Sequence, residues 1–169
     1  LPWLPDQPFR IVTHHWSDNW NKGFDVYAEI DEWIHDNPDK GFELWVIGRW
    51  PKDLTWKSAR TFAPASGHKL ASILRQCHGY VSASRYEPGA MHVAEGLQCG
   101  LPILYHRDTG GTPEMANDAG LPIGDNLSEC LLDFRKSISK LWSSLVNKAA
   151  SGARMSASYE SILHRLLAH

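Results

Sequence analysis

The chain has 169 residues, 43% of them hydrophobic, and a formal charge of −2, enough to bury one ordinary core and no sign of a second domain. That balance gives no basic footprint for nucleic acid, and no apolar run approaches the roughly 18 residues a membrane helix needs, so a soluble domain is expected. Cys77, Cys99 and Cys130 are widely spaced without a C-x-x-C pair, which indicates neither a disulfide framework nor a zinc site and fits a reducing cytoplasm.

In chain order, the opening Leu1-Pro2-Trp3-Leu4-Pro5 has neither an initiator methionine nor a signal-peptide pattern. Residues 1–8 therefore read as a linker remnant and the chain as a fragment. A strand is predicted from Phe9 to Thr13, then a polar loop from His14 to Lys22 and a helix from Gly23 to His35. A second strand, Glu43 to Ile47, and a third, Thr61 to Ala63, are followed by a helix from Lys69 to Cys77. Gly79 to Ala83 is the fourth strand, and Met91 to Cys99 the next helix. Strands at Pro102 to Tyr105 and Leu121 to Ile123 follow, then helices from Leu127 to Ala150 and Ser156 to Leu167, with a turn at Ser151-Gly152.

Short apolar strands alternating with helix-length segments predict an α/β fold, a Rossmann-like parallel sheet with helices on both faces. In such sheets ligands collect beyond the carboxyl ends of the strands. The loops after the predicted strands, His14 to Lys22, Gly48 to Leu54, Ala63 to His68, Ser84 to Ala90 and His106 to Thr112, hold the glycines, prolines and polar residues. No G-x-G-x-x-G fingerprint is present, which argues against a nicotinamide enzyme.

The segment from Ser84 to Leu104 carries the most chemistry. Eight residues separate Glu87 from Glu95, about 12 Å at helical rise, the reach from a nucleotide's ribose across two phosphates to an attached sugar. Between them Gly89, Ala90 and Met91 would offer backbone N–H groups at a helix start to a phosphate. Glu95 suits vicinal ribose hydroxyls, or is a surface helix glutamate. Glu87 suits the sugar, or is a first-turn carboxylate favoured by the helix dipole. Lys22 is a phosphate cation or a solvated loop lysine, and Arg85 a phosphate contact or a salt-bridge partner. Gly110 and Gly111 read as a tight strand-to-helix turn, with close approach to a donor as the second possibility. His14 and His15 point to opposite faces of an extended segment with no third ligand at metal spacing, so one of them, His15 by choice, is assigned to the cleft as a hydrogen-bond donor and no metal is expected. Trp16, Trp20, Trp50 and Trp56 fall in or beside loops, whereas Trp3, Trp33, Trp45 and Trp142 read as packing or linker residues.

Taken together, Glu87-x7-Glu95, Cys99-Gly100-Leu101-Pro102, Gly110-Gly111-x-Pro113-Glu114 and the upstream Lys22-Gly23 resemble the donor-binding half of retaining GT-B glycosyltransferases of the group 1, or family 4, type. The similarity runs from about Phe9 to Ile123. It implies a C-terminal domain whose N-terminal acceptor-binding partner lies outside this chain. It also implies metal-independent transfer of a hexose from a UDP- or GDP-sugar to a glycan or glycolipid hydroxyl, with any membrane association supplied by the N-terminal domain. Lys22 and Glu87 become the catalytic residues, and His15, Arg85, Gly89, Ala90, Met91, Glu95, Gly110 and Gly111 the donor-binding ones. The family's loop arginine before the lysine is replaced here by His14-His15, and a protonated histidine is expected to share its task. A nucleotide-binding or interaction module without transfer activity, and a nucleotide-sugar epimerase or phosphorylase, are the alternatives.

Overall fold

The computed structural model describes residues 3–147. Six strands, β1 Phe9–His15, β2 Phe42–Gly48, β3 Arg60–Phe62, β4 Gly79–Ser82, β5 Ile103–His106 and β6 Gly120–Ile123, form one parallel sheet in the order β3-β2-β1-β4-β5-β6. Among the described residues five α-helices cover it: α1 Phe24–Asp36, α2 Gly67–Leu74, α3 Met91–Gln98, α4 Thr112–Ala116 and α5 Leu127–Asn147. This is the Rossmann-like α/β class read from the sequence. The expected strands are all present with ends moved by a residue or two; the short α4 follows Gly110-Gly111, where only a turn into a helix was foreseen. The helix expected at Ser156 to Leu167 lies outside the described residues.

Strand periodicity decides which face each side chain serves. Phe9, Ile11, Leu44, Val46, Val81 and Leu104 face one cluster with α1 and α5, while Val12, Trp45, Ile47, Tyr80 and Ile103 face a second with α2 and α3. Both faces are covered, so β1 and β4 read as nearly continuous buried runs rather than alternating ones. On α1 the buried residues Phe24, Tyr27, Ile30, Asp31 and Ile34 recur at spacings of about three and four, one helical stripe. Trp3, from the Pro-rich opening, packs edge-on against Phe9 with ring centroids 5.6 Å apart.

Chain direction reverses its spread between β1 and β4. From β1 the sheet grows through β2 to β3, and then restarts at β4 on the other side of β1. The loops after β1 and β4 therefore leave neighbouring strand ends and diverge, opening the crevice in which such sheets bind ligands. Gly23 closes the bottom of that crevice: its φ of +83° is left-handed, and a Cβ there would lie 2.2 Å from the Ala83 carbonyl oxygen. Only glycine fits both demands.

Asp31 is the polar exception in the α1 stripe. Its carboxylate accepts the Lys57 N–H at 2.5 Å, the Ser58 N–H at 3.0 Å and the Ser58 hydroxyl at 2.8 Å, fastening the long β2–β3 connection to the helix. Trp50 and Trp56 pack against each other in that connection, at 6.1 Å between ring centroids, and belong to the core rather than to a ligand site. Asp31→Ala should cost about 2–4 kcal/mol, because two partly buried N–H groups lose their acceptor. Urea unfolding followed by tryptophan emission measures this; a midpoint unchanged from the parent would contradict the assignment.

Candidate functional site

At the carboxyl end of the sheet, three loops are stitched together by their backbones. The Arg85 N–H donates to the Asn21 carbonyl at 2.9 Å, joining the β4–α3 loop to the β1–α1 loop. Tyr86 N–H donates to the Asp108 carbonyl at 3.2 Å, and Gly111 N–H to the Glu87 carbonyl at 3.0 Å, joining the same loop to the β5–α4 loop. A Cβ on Gly110 would lie 2.3 Å from the Glu87 carbonyl oxygen. The close approach that Gly110 permits is therefore to the backbone carrying Glu87. Tyr86 holds a left-handed φ of 55°, an uncommon state for a bulky residue, in the middle of this braced loop.

Lys22 and Glu87, assigned to the same site from the sequence, meet directly. Lys22 Nζ donates to Glu87 Oε2 at 2.5 Å, and both side chains are largely withdrawn from solvent. Lys22 ends a short 3-10 turn, Trp20–Lys22, rather than starting α1; its turn is capped by the Asn19 side chain, which accepts the Asn21 N–H. Arg85 is engaged elsewhere. Its guanidinium forms a two-pronged pair with Asp25 on α1, at 2.9 and 2.6 Å, which holds the Asp25 carboxyl below its ordinary range. Of the two readings left open for Arg85, the salt bridge is the one the fold makes.

Helix α3 begins after Ala90, with no side chain capping its first turn. At this helix start the Met91 N–H donates to the Gly89 carbonyl at 2.8 Å and the Val93 N–H to the Ala90 carbonyl at 2.9 Å, so no side-chain acceptor is engaged there. Gly89 stands in open space, Ala90 is fully buried and Met91 is 69% exposed. Glu95 lies one turn further along, 47% exposed in its side chain, and is joined by His14 Nε2 to Oε2 at 2.8 Å. Ser84, fully buried at the start of the loop, has a hydroxyl without a hydrogen-bond partner among the described residues.

The two adjacent histidines part as period-2 geometry requires. His14 faces α3 and lies edge-on to Tyr80, whereas His15 turns to the α1 side, where its Nε2 is 2.9 Å from Thr13 Oγ1 and 3.1 Å from the Tyr27 hydroxyl. His15 is only 5% exposed, so its polar edge is spent inside the fold. A third ring, His92 on α3, packs within 6.3 Å of His14 and 5.8 Å of His15 and pairs with the Ser82 hydroxyl at 3.0 Å. Burial lowers all three pKa values, His92 to about 3, and overrides the upward pull of Glu95 on His14. The expectation of a protonated histidine beside the diphosphate is thus corrected: neither His14 nor His15 is a cation near neutral pH. No group of side chains suited to a metal ion occurs among the described residues.

What sequence reasoning missed is the role of His14, its support by Tyr80, and the presence of His92 beneath the site. A signal existed in Gly96, beside Glu95, where a Cβ would press within 3.0 Å of the Tyr80 ring; it marks a helix seated tightly on β4. Exposed Trp16, Trp20, Tyr86 and Met91 are the large apolar side chains on the loops and helix start at this end of the sheet.

A parallel sheet with its switch at β1/β4, a cation and a carboxylate across the crevice and a second carboxylate along the next helix sit on the fold of one Rossmann-like half of the GT-B architecture. Residues 52–129, just under half of the chain, match the family described as Glycosyl transferases group 1. No curated protein matches the chain significantly. Solved structures share the fold. WaaG, a glycosyltransferase involved in lipopolysaccharide biosynthesis, superposes with a TM-score of 0.62 at 16% identity over 85% of this chain and 42% of its own. The catalytic domain of cholesterol-alpha-glucosyltransferase from Helicobacter pylori gives 0.61 at 18% identity, over 83% of this chain and 99% of that domain. Sucrose-phosphate synthase from Thermosynechococcus elongatus gives 0.63 at 16%, over 98% and 47%. The chain thus spans less than half of WaaG and of the synthase. No helix among the described residues is long and apolar enough to cross a membrane.

The buried imidazoles make an acid-side prediction. His92 falls to about 3 and His78, buried beside Arg10, to about 4, both below the unfolded value of 6.5. Below pH 6.5 the unfolded chain therefore binds more protons, so the stability these groups contribute is whole above that pH and drains away as pH falls toward 4. Each group contributes a slope of up to about 1.4 kcal/mol per pH unit. Denaturant midpoints between pH 7 and 4.5 should fall steadily, and His92→Gln should flatten the fall by nearly one proton. A level profile in the parent would show that these rings are not neutral in the fold.

Proposed function

We propose that this domain binds the nucleotide-sugar donor of a retaining, metal-independent GT-B glycosyltransferase. With an N-terminal acceptor-binding domain, the whole enzyme transfers a hexose from a UDP- or GDP-sugar to a glycan or glycolipid hydroxyl. The observation that carries the reading is the Lys22–Glu87 pair at the switch-point crevice, with the open start of α3 beside it and Glu95 one turn on. The names of WaaG and of the cholesterol glucosyltransferase, which act in lipopolysaccharide biosynthesis and on a lipid, support an acceptor of glycan or glycolipid kind.

In this reading the diphosphate lies over the start of α3, beside the backbone amides of Gly89 and Ala90 and drawing the Met91 N–H from the Gly89 carbonyl, with the ribose hydroxyls donating to Glu95. Gly110 and Gly111 act by letting the Glu87 loop sit low, Arg85 by tying that loop to α1, and His15 by filling the base of the crevice. The Lys22–Glu87 pair is exchanged when donor arrives: Lys22 turns to the phosphate, and Glu87 is released to accept sugar hydroxyls. As the bond from the anomeric carbon to the phosphate oxygen breaks, charge grows on the leaving diphosphate, where Lys22 and the helix amides stabilise it. The acceptor hydroxyl forms the new bond on the same face and passes its proton to the departing phosphate oxygen, so no protein nucleophile is needed. A second reading, a nucleotide-binding module without transfer, is favoured by the neutral histidines that stand where the family's arginine is expected.

Calorimetry with UDP, GDP and their hexose conjugates, with and without chelator, tests the reading; affinity lost on chelation would refute metal independence. Glu87→Gln frees Lys22 from its partner, so it should leave bare diphosphate binding equal or tighter while weakening the nucleotide sugar. Equal weakening of both ligands would contradict the exchange.

Lys22→Ala should weaken diphosphate binding by about 1.5–3 kcal/mol, the range for a hydrogen bond to a charged group, and leave the nucleoside unaffected. In the full-length enzyme it should slow transfer more than it weakens donor binding. Undiminished turnover in that variant would favour the module without transfer.

A further inference from the structure

We infer that His14 is a positioning residue for the nucleotide site, holding the Glu95 carboxylate in the one orientation that meets a vicinal diol. The inference rests on the reading above, in which Glu95 accepts from the ribose hydroxyls.

A glutamate on the solvent side of a helix has three rotatable bonds and loses that freedom whenever a ligand fixes it. Glu95 is such a residue by exposure, yet it is already tied. The His14 ring is 4% exposed and reaches out from the end of β1 to donate from Nε2 to Oε2 at 2.8 Å. Its direction is set from behind. The Tyr80 hydroxyl oxygen accepts the His14 backbone N–H at 3.2 Å, and its own proton is directed at His14 Nδ1, 3.0 Å away. Burial raises the Tyr80 phenol well above its ordinary range, so this proton stays in place. With Nδ1 accepting, the single imidazole proton must sit on Nε2, facing the carboxylate. Donation therefore runs one way, from Tyr80 to His14 to Glu95.

The helix geometry agrees with this chain of donors. Gly96 lets α3 rest against the Tyr80 ring, and His92, the other α3 side chain facing His14, is bonded away to Ser82. No competing acceptor for Nε2 lies among the His14 contacts of Tyr80, His92 and Glu95. Oε2 held from the protein side leaves Oε1 and the second lone pair of Oε2 toward the crevice, the arrangement that two neighbouring hydroxyls need. His14 touches no ligand in this scheme; it acts through Glu95.

The test compares UDP and GDP with their 2′,3′-dideoxy counterparts by calorimetry on the 169-residue chain, so that the ratio of affinities reads the diol contact alone. Two substitutions separate the two ring nitrogens: in His14→Asn the amide nitrogen stands near the place of Nδ1 and falls short of Glu95, whereas in His14→Gln it stands near the place of Nε2. His14→Asn should lower the preference for the ribose form by about fivefold or more, the effect of weakening a charge-assisted hydrogen bond, while the dideoxy affinities stay at the parent's level. His14→Gln should retain the preference within about twofold. Glu95→Gln should lose it as His14→Asn does. A parent-like preference in His14→Asn, together with its loss in Glu95→Gln, overturns the positioning role alone. A preference that survives Glu95→Gln shows instead that Glu95 does not meet the diol, and the donor reading falls with the inference. Should His14→Asn not fold, Tyr80→Phe, which keeps the packed ring and removes the proton that sets the tautomer, should lower the preference; full retention there overturns the inference too.

Discussion

The contact on which the site depends is between two pieces of backbone. Gly23, left-handed and without a side chain, lies against the Ala83 carbonyl at the point where β1 and β4 part, and every functional distance above it follows. With any Cβ in that gap the two loops would have to separate, and Lys22, one residue earlier, would move away from Glu87, four residues later. The Asn21 carbonyl receiving the Arg85 N–H and the Asp25–Arg85 ion pair act in parallel with this contact. Three unrelated interactions, one steric, one backbone and one ionic, fix the same separation. That redundancy suits a crevice whose two walls come from strand ends far apart in sequence.

How far the sequence could be read varied with the period of the signal. Strands and long helices were legible because apolar periodicity and Gly-Pro punctuation repeat over many residues, and the parallel order followed from their alternation. Lys22 and Glu87 were legible as members of one site through the ordered motifs that carry the resemblance, Lys22-Gly23 after the first strand and Glu87-x7-Glu95 after the fourth. The choice between His14 and His15 was not legible. Period 2 says that the two face opposite sides of the sheet, but the sign depends on which side α3 covers, and that is a property of the assembled sheet. Nor was the state of the imidazoles, since desolvation depends on neighbours such as Tyr27, 12 residues from His15, and Tyr80, 66 residues from His14. The five-residue α4 is too short to carry a period at all. Trp50 and Trp56 show the opposite limit: a loop position suggests exposure, yet Asp31 fastens their loop to α1 and the two rings pack half-buried against the core.

Beneath the crevice, His14, His15 and His92 share a space with Tyr27, Tyr80, Thr13 and Ser82, and nearly every polar atom there has a partner. Charges in this layer would be poorly solvated and mutually repulsive, so burial keeps the three rings neutral. A neutral, hydrogen-bonded floor has a consequence for the layer above. It does not neutralise the carboxylate of Glu95, and in the proposed reading it would not compete with Lys22 for a diphosphate. The floor thus supplies direction without supplying charge. An arginine in the same place would supply both, so in the proposed reading the electrostatic task falls to Lys22 and the amides of α3.

The Lys22–Glu87 pair then poses a question of energetics. Two partly withdrawn charges that lost each other without replacement would be left poorly solvated, a costly state, so a ligand that satisfies only one of them would open the pair at a cost to its own affinity. A bare phosphate gives Lys22 a new partner and strands Glu87; a free sugar satisfies Glu87 and strands Lys22. A nucleotide sugar brings an anion and hydroxyl donors together in one molecule and is the ligand that repairs both losses at once. On the proposed donor reading, the same ion pair would discriminate in favour of the intact donor over its product diphosphate. In that reading the selectivity would assist turnover, because after transfer the sugar hydroxyls would leave Glu87, the carboxylate would again attract Lys22, and the grip on the spent nucleotide would loosen.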